Sequence, residues 1–140
     1  MRYILDSCVG SKWLLKQIDS DKAIRLRDEF LHGIHELLAP DIYPIEVTHA
    51  LTRAERQGRF TPAEGLTSFQ NTIVLLPELR PSLPELPRAY EISSAVRIGV
   101  YNCLYVALAE REGCELITSD EKLINNLQAK FPFVVSLSAF

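Results

Sequence analysis

The sequence predicts an α/β domain built on a buried, mainly parallel sheet of four to five strands. Short apolar runs of strand length alternate along the chain with longer segments whose apolar residues recur at helical spacing. Such alternation is typical of parallel strands joined by helices. The chain contains no internal repeat, low-complexity tract or linker, so residues 1–140 are expected to form a single domain.

Each predicted element has a local signal. Gly58 is expected to end the helix that begins at Ile45, and Thr61 followed by Pro62 is a good N-cap and first position for the next helix. The prolines between residues 77 and 87 predict a loop. Strands are predicted at residues 3–5, 37–39, 73–76, 116–118 and 133–135. Helices are predicted at residues 20–31, 45–57, 62–70, 88–96, 100–113 and 121–130.

The composition is that of an ordinary globular protein, with 47% hydrophobic and 24% charged residues. A net charge of −3 gives no basic field, which weakens a nucleic-acid function without excluding it, because a local basic patch fits within a neutral total. Cys8, Cys103 and Cys114 are odd in number and widely spaced, as expected for reduced thiols. No signal peptide or membrane-spanning segment is evident, so a cytoplasmic location is expected.

Three acids lie where a metal site would need them. Asp6 follows the first predicted strand and Asp120 the fourth, and parallel sheets bind ligands at the carboxyl ends of their strands. Glu46 lies early in a predicted helix among apolar neighbours. Such oxygen ligands favour Mg²⁺ or Mn²⁺ over zinc. Taken singly, each Asp is more often a helix cap, and Glu46 a solvated helix residue.

Asn102 is an amide in the first turn of an otherwise apolar helix, in the stretch IGVYNCLYVALAE. Taken alone, such a residue is most often a capping or first-turn amide. A hydrogen bond in the core and membership of the acidic site are the alternatives. Its carbonyl oxygen is a neutral ligand, one charge short of a carboxylate.

Four segments, in this order, resemble the PIN-domain family, in particular the VapC-like ribonuclease toxins of toxin–antitoxin pairs: YILDSCV, PIEVTHAL, IGVYNCLYVALAE and LITSDEKL. The resemblance implies a three-layer α/β/α domain. It also implies that four side chains hold Mg²⁺ or Mn²⁺, namely those of Asp6, Glu46, Asn102 and Asp120. Ser7 and Thr118 occupy places where the family usually has a hydroxyl beside the metal ligands.

The resemblance further implies a metal-dependent endoribonuclease, the toxin component of a toxin–antitoxin module. RNA is then the expected substrate, an antitoxin protein the expected partner and a homo-dimer the expected assembly, with no membrane. Asn102 stands where the family has its third carboxylate, so weakened metal binding and attenuated activity are expected. The alternative is a catalytically silent PIN-fold module that binds an antitoxin-like partner or RNA. A structural protein without a site ranks last.

Basic side chains give a weaker signal. Four of them are candidates for contacts with RNA phosphates, with an ordinary charged face as the equal alternative: Arg53, Arg56, Arg59 and Lys122. Glu46 and His49 have the E-x-x-H spacing of di-iron bundles, but a single copy outside a bundle makes iron a poor alternative.

One set of apolar side chains is expected either in the core or in a groove that accepts an apolar helix face of an antitoxin. The set consists of Trp13, Leu14, Leu15, Ile24, Leu26 and Phe30. Core packing is the default for each of them.

Overall fold

A computed structural model describes residues 1–140. Its five strands are β1 (Arg2–Leu5), β2 (Glu36–Pro40), β3 (Glu78–Arg80), β4 (Glu115–Thr118) and β5 (Val134–Ser136). They form one sheet in the order β3-β2-β1-β4-β5, and every neighbouring pair is parallel. The predicted α/β class and number of strands are therefore confirmed.

Helices cover both faces of the sheet, which gives the three layers that the family resemblance implied. They are α1 (Ser7–Ser11), α2 (Ser20–Leu31), α3 (Tyr43–Arg56), α4 (Pro62–Val74), α5 (Leu86–Val96), α6 (Val100–Glu112) and α7 (Glu121–Leu127). Because all the strands run the same way, α1, α3 and α7 each begin close to the carboxyl edge of the sheet, after β1, β2 and β4.

The apolar helix α6 is the central helix of the core. Residues 103–109 are all buried, and the helix contacts β1, β2 and β4. Gly99 is its N-cap, and Gly113 ends it with a left-handed φ of 64°. Asn102 lies inside the first turn and is not the cap.

The predicted strand at residues 73–76 is wrong. Ile73 and Val74 are the last residues of α4, and Leu75 is its C-cap. A short apolar run does not by itself distinguish a strand from the end of a helix. Here the capping box of Thr61 and Glu64 starts a 13-residue helix that extends into the run as far as Val74.

The third strand lies instead within the proline-rich stretch predicted as a loop. β3 has only three residues, is flanked by Pro77 and Pro81, and pairs with β2 alone. Proline is tolerated there because the outer side of an edge strand needs no ladder hydrogen bonds. Three residues without apolar alternation leave no strand signal in the sequence.

The apolar set around α2 belongs to the core and does not form an open groove. Trp13, Leu15 and Leu26 are buried in the main cluster, and Leu14 and Phe30 pack against it. Only Ile24, which is 36% exposed, lies at the surface. Core packing, the default expectation, is therefore confirmed for Trp13, Leu15 and Leu26, whereas Ile24 does not follow it.

The fold contains no disulfide and no single helix of membrane-spanning length and apolarity. No single helix is long and apolar enough to cross a membrane, and only the bent pair Leu83–Val96 and Val100–Glu112 reaches that length when taken together. Cys8, Cys103 and Cys114 are free thiols.

Candidate active site

Asp6 directly follows β1 and is buried, with 5% of its surface exposed. The register of β1 and β4 places Leu5 opposite Ile117, and the Asp6 N–H donates to the Ile117 carbonyl at 3.1 Å. The Asp6 carboxylate also caps α1 by accepting the Cys8 N–H at 3.4 Å. A ladder hydrogen bond and a cap thus hold this carboxylate at the carboxyl edge of the sheet.

Thr118, which is fully buried at the end of β4, joins Asp6 to Asp120. Its hydroxyl donates to Asp6 Oδ2 at 2.7 Å and accepts the Asp120 N–H at 3.1 Å. Asp120 in turn caps α7 by accepting the Leu123 N–H at 3.1 Å. Both aspartates are helix caps, as the simpler alternative predicted, and the same geometry brings them to neighbouring strand ends.

Glu46 lies in the first turn of α3 and contacts Tyr105 of α6. The Tyr105 hydroxyl donates to Glu46 Oε1 at 2.6 Å. Burial is the main cause that raises the pKa of Glu46, and the charge of Asp6 raises it further, while the hydroxyls of Tyr105 and Ser7 lower it. The Glu46 carboxylate is therefore close enough to Asp6 and Ser7 to interact with both.

The approach of α3 to α1 depends on Gly10. A Cβ added to this residue would lie 1.9 Å from the Tyr43 hydroxyl oxygen, and Tyr43 is only 2% exposed. Only glycine fits at this contact, so Gly10 allows α3 to come close enough for Glu46 to face Asp6.

Asn102 and Asp120 line the same polar cavity, which has a volume of about 300 Å³ and also contacts Lys122. The Asn102 side chain makes no hydrogen bond within the protein. Glu46 and Ser7 line a separate cavity of about 490 Å³. The site residues expected from the sequence therefore form two groups.

Asp6 lies between these two groups and interacts electrostatically with both. Its pKa is raised mainly by burial and also by the charge of Asp120, and the charge of Asp6 in turn raises the pKa of Glu46. No Lys, Arg or His forms an ion pair with Asp6, Glu46 or Asp120. Three neighbouring carboxylates thus lack a positive partner.

The donor set fits a hard divalent cation, although only in pairs. No group of three or more His, Cys, Asp or Glu side chains is close enough to hold one ion. Mg²⁺ nevertheless keeps several waters and is commonly bound through one or two carboxylates plus substrate phosphates. The charge of Asp6 interacts with those of Glu46 and Asp120, so these two pairs are the candidate ligands, and a cation would relieve the repulsion between their uncompensated charges.

Of the four basic residues that are candidates for contacts with RNA phosphates, three line a cavity beside the acidic site and one does not. Arg53 and Arg59 line a cavity of about 340 Å³ beside the Glu46 cavity, whereas Arg56 does not line it. Lys122 lines the cavity that contains Asn102 and Asp120.

Tyr105 is the site residue that sequence reasoning missed. It lies inside the apolar run of α6, so its pattern indicates a core residue, and it is indeed 1% exposed. The available signal was its spacing: Tyr105 is three residues after Asn102, and residues three apart share a helix face.

The fold agrees with comparisons to known proteins. The family model described as the PIN domain matches residues 3–127. The chain belongs to the PIN-domain family.

Among curated proteins the chain is similar to VapC ribonuclease Mb0985 of Mycobacterium bovis, at 30% identity over 75% of this chain and 81% of that protein. It is also similar to Ribonuclease VapC12 of Mycobacterium tuberculosis, at 35% identity over 72% of each chain.

Two solved structures share the fold. PAE2754 from Pyrobaculum aerophilum superposes with a TM-score of 0.71 at 19% identity, over 99% of this chain and 85% of that one. A chain of VapBC2 from Rickettsia felis, solved bound to a DNA fragment from the promoter, superposes with a TM-score of 0.67 at 15% identity, over 97% of each chain.

Proposed function

We propose that this chain is a Mg²⁺- or Mn²⁺-dependent endoribonuclease of PIN type and the toxin component of a toxin–antitoxin module. Membership of the PIN-domain family and similarity to proteins named VapC ribonucleases support the assignment. The cytoplasmic location expected from the sequence stays a prediction.

The observation that carries the proposal is the buried Asp6 carboxylate, which interacts with Glu46 and Asp120 and has no basic partner. A purely structural acid at this depth would be expected to pair with a cation, because an unpaired buried charge is strongly destabilising. An acid kept unpaired among other acids is instead typical of a site that binds a metal ion.

In this proposal the role of the protein residues is to hold and orient the cation, and no protein nucleophile is required. A divalent cation, when bound, activates water and stabilises negative charge on the phosphoryl group. Asp6 is held by the Thr118 hydroxyl and the Cys8 N–H, so its carboxylate does not need to reorganise. Tyr105 holds Glu46 through one oxygen. We assign Asp6, Glu46 and Asp120 as the residues that position the cation, with Ser7 and Thr118 as supporting hydroxyls.

We further propose that Asn102 attenuates the activity. Asn102 shares a cavity with Asp120, so an acid at this position would add a fourth carboxylate beside the site. The amide keeps one ligand oxygen but supplies no negative charge, and metal affinity falls accordingly. The catalytically silent binding module is the second candidate function, and Asn102 is the observation that favours it.

An apolar strip on α4 supports the proposal of a protein partner. Its four members are all exposed: Leu66, Phe69, Ile73 and Val74. Large apolar surfaces of this kind mark protein–protein contacts. An antitoxin or a second copy of the chain is the proposed occupant, and sedimentation of the purified chain alone separates the two, since only the second copy gives a dimer without a partner.

The test of the enzymatic proposal is cleavage of single-stranded RNA by three purified forms: the native chain, Asn102→Asp, and Asn102→Asp combined with Asp6→Asn. We expect weak cleavage by the native chain, increased Mn²⁺-dependent cleavage by Asn102→Asp, and none by the double variant. EDTA should abolish all cleavage.

Asp21→Asn provides the matched control, because Asp21 is an exposed acid on α2 outside the site. This variant should cleave like the native chain. If Asn102→Asp shows no metal-dependent cleavage of a varied RNA panel, the enzyme proposal fails and the binding module replaces it. Cleavage that persists in the double variant would indicate a contaminating nuclease.

A further inference from the structure

An exposed aromatic ring lies beside Glu46. Tyr101, which is 63% exposed, contacts the 490 Å³ cavity that Glu46 and Ser7 also line. Its hydroxyl makes no hydrogen bond within the protein. Ile45, which is 69% exposed, lines the same cavity. The wall next to the acidic site is therefore apolar and aromatic.

A second cavity continues the first along α3. Its volume is about 340 Å³, and its lining includes Arg53 and Arg59. The two cavities share Ser11, His49 and Ala50, so they form one groove. We call this the α3 groove.

Spacing on α3 orders the chemistry of the groove. Glu46, His49 and Arg53 are separated by three and four residues, a spacing that places them on one face of the helix. With a rise of about 1.5 Å per residue, Arg53 lies ~10 Å along the helix from Glu46. Glu46 and Tyr101 line the acidic end of the groove, and Arg53 lines its basic end.

The basic end is unoccupied by protein carboxylates. Neither Arg53 nor Arg59 forms an ion pair, whereas most of the other arginines of the chain do. Guanidinium groups bind phosphate oxygens well because their donors match them in a bidentate arrangement. Free guanidinium groups in a concave site of an acidic protein therefore favour a phosphate ligand.

We propose that the α3 groove binds single-stranded RNA, with Tyr101 stacking on a base at the end of the groove that Glu46 also lines. Arg53 and Arg59 bind a phosphate of the same strand. This inference rests on the proposed ribonuclease function and adds the residues that position its substrate. A single strand is required because a base must leave its helical stack to lie against an aromatic side chain.

The test measures binding separately from cleavage, by fluorescence anisotropy of a labelled random-sequence single-stranded RNA in EDTA. Tyr101→Ala should weaken binding about five- to a hundredfold, since one base loses its stacking partner. Tyr101→Phe keeps the ring and should bind like the native chain. Tyr90→Ala is the matched control, because Tyr90 is 71% exposed on α5 and does not line the groove.

The arginines are tested through the salt dependence of binding. Arg53→Gln and Arg59→Gln should each weaken binding. Each should also make the negative slope of log K against log salt shallower by about 0.7. Lys130→Gln, at an exposed site outside the groove, should leave both unchanged. A larger effect of Arg56→Gln than of Arg53→Gln would overturn the assignment, because Arg56 does not line the groove.

The outcomes separate this inference from the proposed function. RNA binding that depends on Tyr101 and Arg53 without any cleavage would support the inference and contradict the enzyme. Cleavage by Asn102→Asp that is unaffected by Tyr101→Ala would contradict the inference alone. Absence of RNA binding, or equally tight binding of a duplex of the same length, would overturn it.

Discussion

The Tyr105 hydroxyl donates to Glu46 Oε1 at 2.6 Å and thereby joins the core helix α6 to α3 across the candidate site. Asn102 lies one turn before Tyr105 on the same helix. The helix that is most deeply packed thus also carries two polar residues of the site. This arrangement favours a rigidly positioned Glu46, because Tyr105 is 1% exposed and has no freedom to move.

Replacement of Tyr105 by Phe should impair the site more than the fold. Loss of the hydroxyl removes a cause that lowers the pKa of Glu46, so this pKa should rise further, as measured by NMR titration. Loss of such an orienting partner typically costs about 10–100-fold in metal affinity or activity. The loss is measured by comparing RNA cleavage by Asn102→Asp with and without Tyr105→Phe.

Tyr3→Phe is the control for this change, because Tyr3 is also buried but its hydroxyl contacts Met1 away from the site. An equal loss of cleavage in the two variants would show that the effect of Tyr105→Phe is only structural.

Asp6→Asn should raise the stability of the metal-free chain at neutral pH. Asparagine is as good an N-cap as aspartate, so its single carbonyl oxygen keeps the α1 cap. The Thr118 hydroxyl then loses its acceptor, but this cost is smaller than the gain from removing a buried, unpaired charge. Thermal unfolding in EDTA should therefore give a higher melting temperature for Asp6→Asn than for the native chain. A lower melting temperature would show that the charge itself stabilises the fold.

The difference between these two forms should depend on pH. Burial raises the pKa of Asp6 in the folded chain above its ordinary value, so the folded chain binds more protons than the unfolded chain between the two values. The contribution of Asp6 to stability is thus full below its unfolded pKa of about 3.9 and is lost as pH rises through the folded pKa. The advantage of Asp6→Asn should be small near pH 4 and grow towards neutral pH, and a constant difference would contradict the raised pKa.

Much of this architecture was predictable because its signals are local. The capping pair of Thr61 and Pro62 predicted the start of α4, and the apolar runs before Asp6 and Asp120 predicted β1 and β4. Parallel strands then place the two acids at one edge of the sheet, so their proximity followed from topology alone.

The features that were missed depend on tertiary contacts. β3 is a strand only because β2 supplies its ladder, and Ile73 and Val74 are the end of a helix that starts at Pro62. Tyr105 lies in an apolar pattern, and its hydrogen bond to Glu46 joins residues 59 positions apart that only the tertiary fold brings together. The separation of Asn102 and Glu46 into different cavities likewise depends on side-chain placement, which motif order does not encode.

Gly10→Ala should destabilise the chain by about 1–3 kcal/mol, the usual cost of overpacking a core. The added Cβ would meet the Tyr43 hydroxyl at 1.9 Å, and buried Tyr43 has little room to move. Chemical denaturation measures the loss.

A double-mutant cycle tests this cause. Tyr43→Phe removes the clashing oxygen, so Gly10→Ala should cost less in that background. Gly99→Ala is the control: a Cβ there meets nothing within 4 Å, so whatever this change costs at the N-cap of α6 should be the same in both backgrounds. Equal costs of Gly10→Ala in both backgrounds would show that the Tyr43 hydroxyl is not the obstacle.

Restoring an acid at position 102 should strengthen metal binding. Asn102→Asp adds a carboxylate to the cavity that Asp120 lines, so a divalent cation gains attraction there. A cation that binds only the folded chain raises stability, by about 1.4 kcal/mol for each tenfold gain in affinity at saturating metal. Mg²⁺ and Mn²⁺ should therefore raise the melting temperature of Asn102→Asp more than that of the native chain, and Asp6→Asn should reduce both responses.

Asn125→Asp adds the same charge at an exposed position of α7 outside that cavity, so it measures the contribution of net charge alone. If the metals raised the melting temperature of Asn125→Asp as much as that of Asn102→Asp, position 102 would not be a ligand position. The Asn102 amide would then be a first-turn residue without a role in the site.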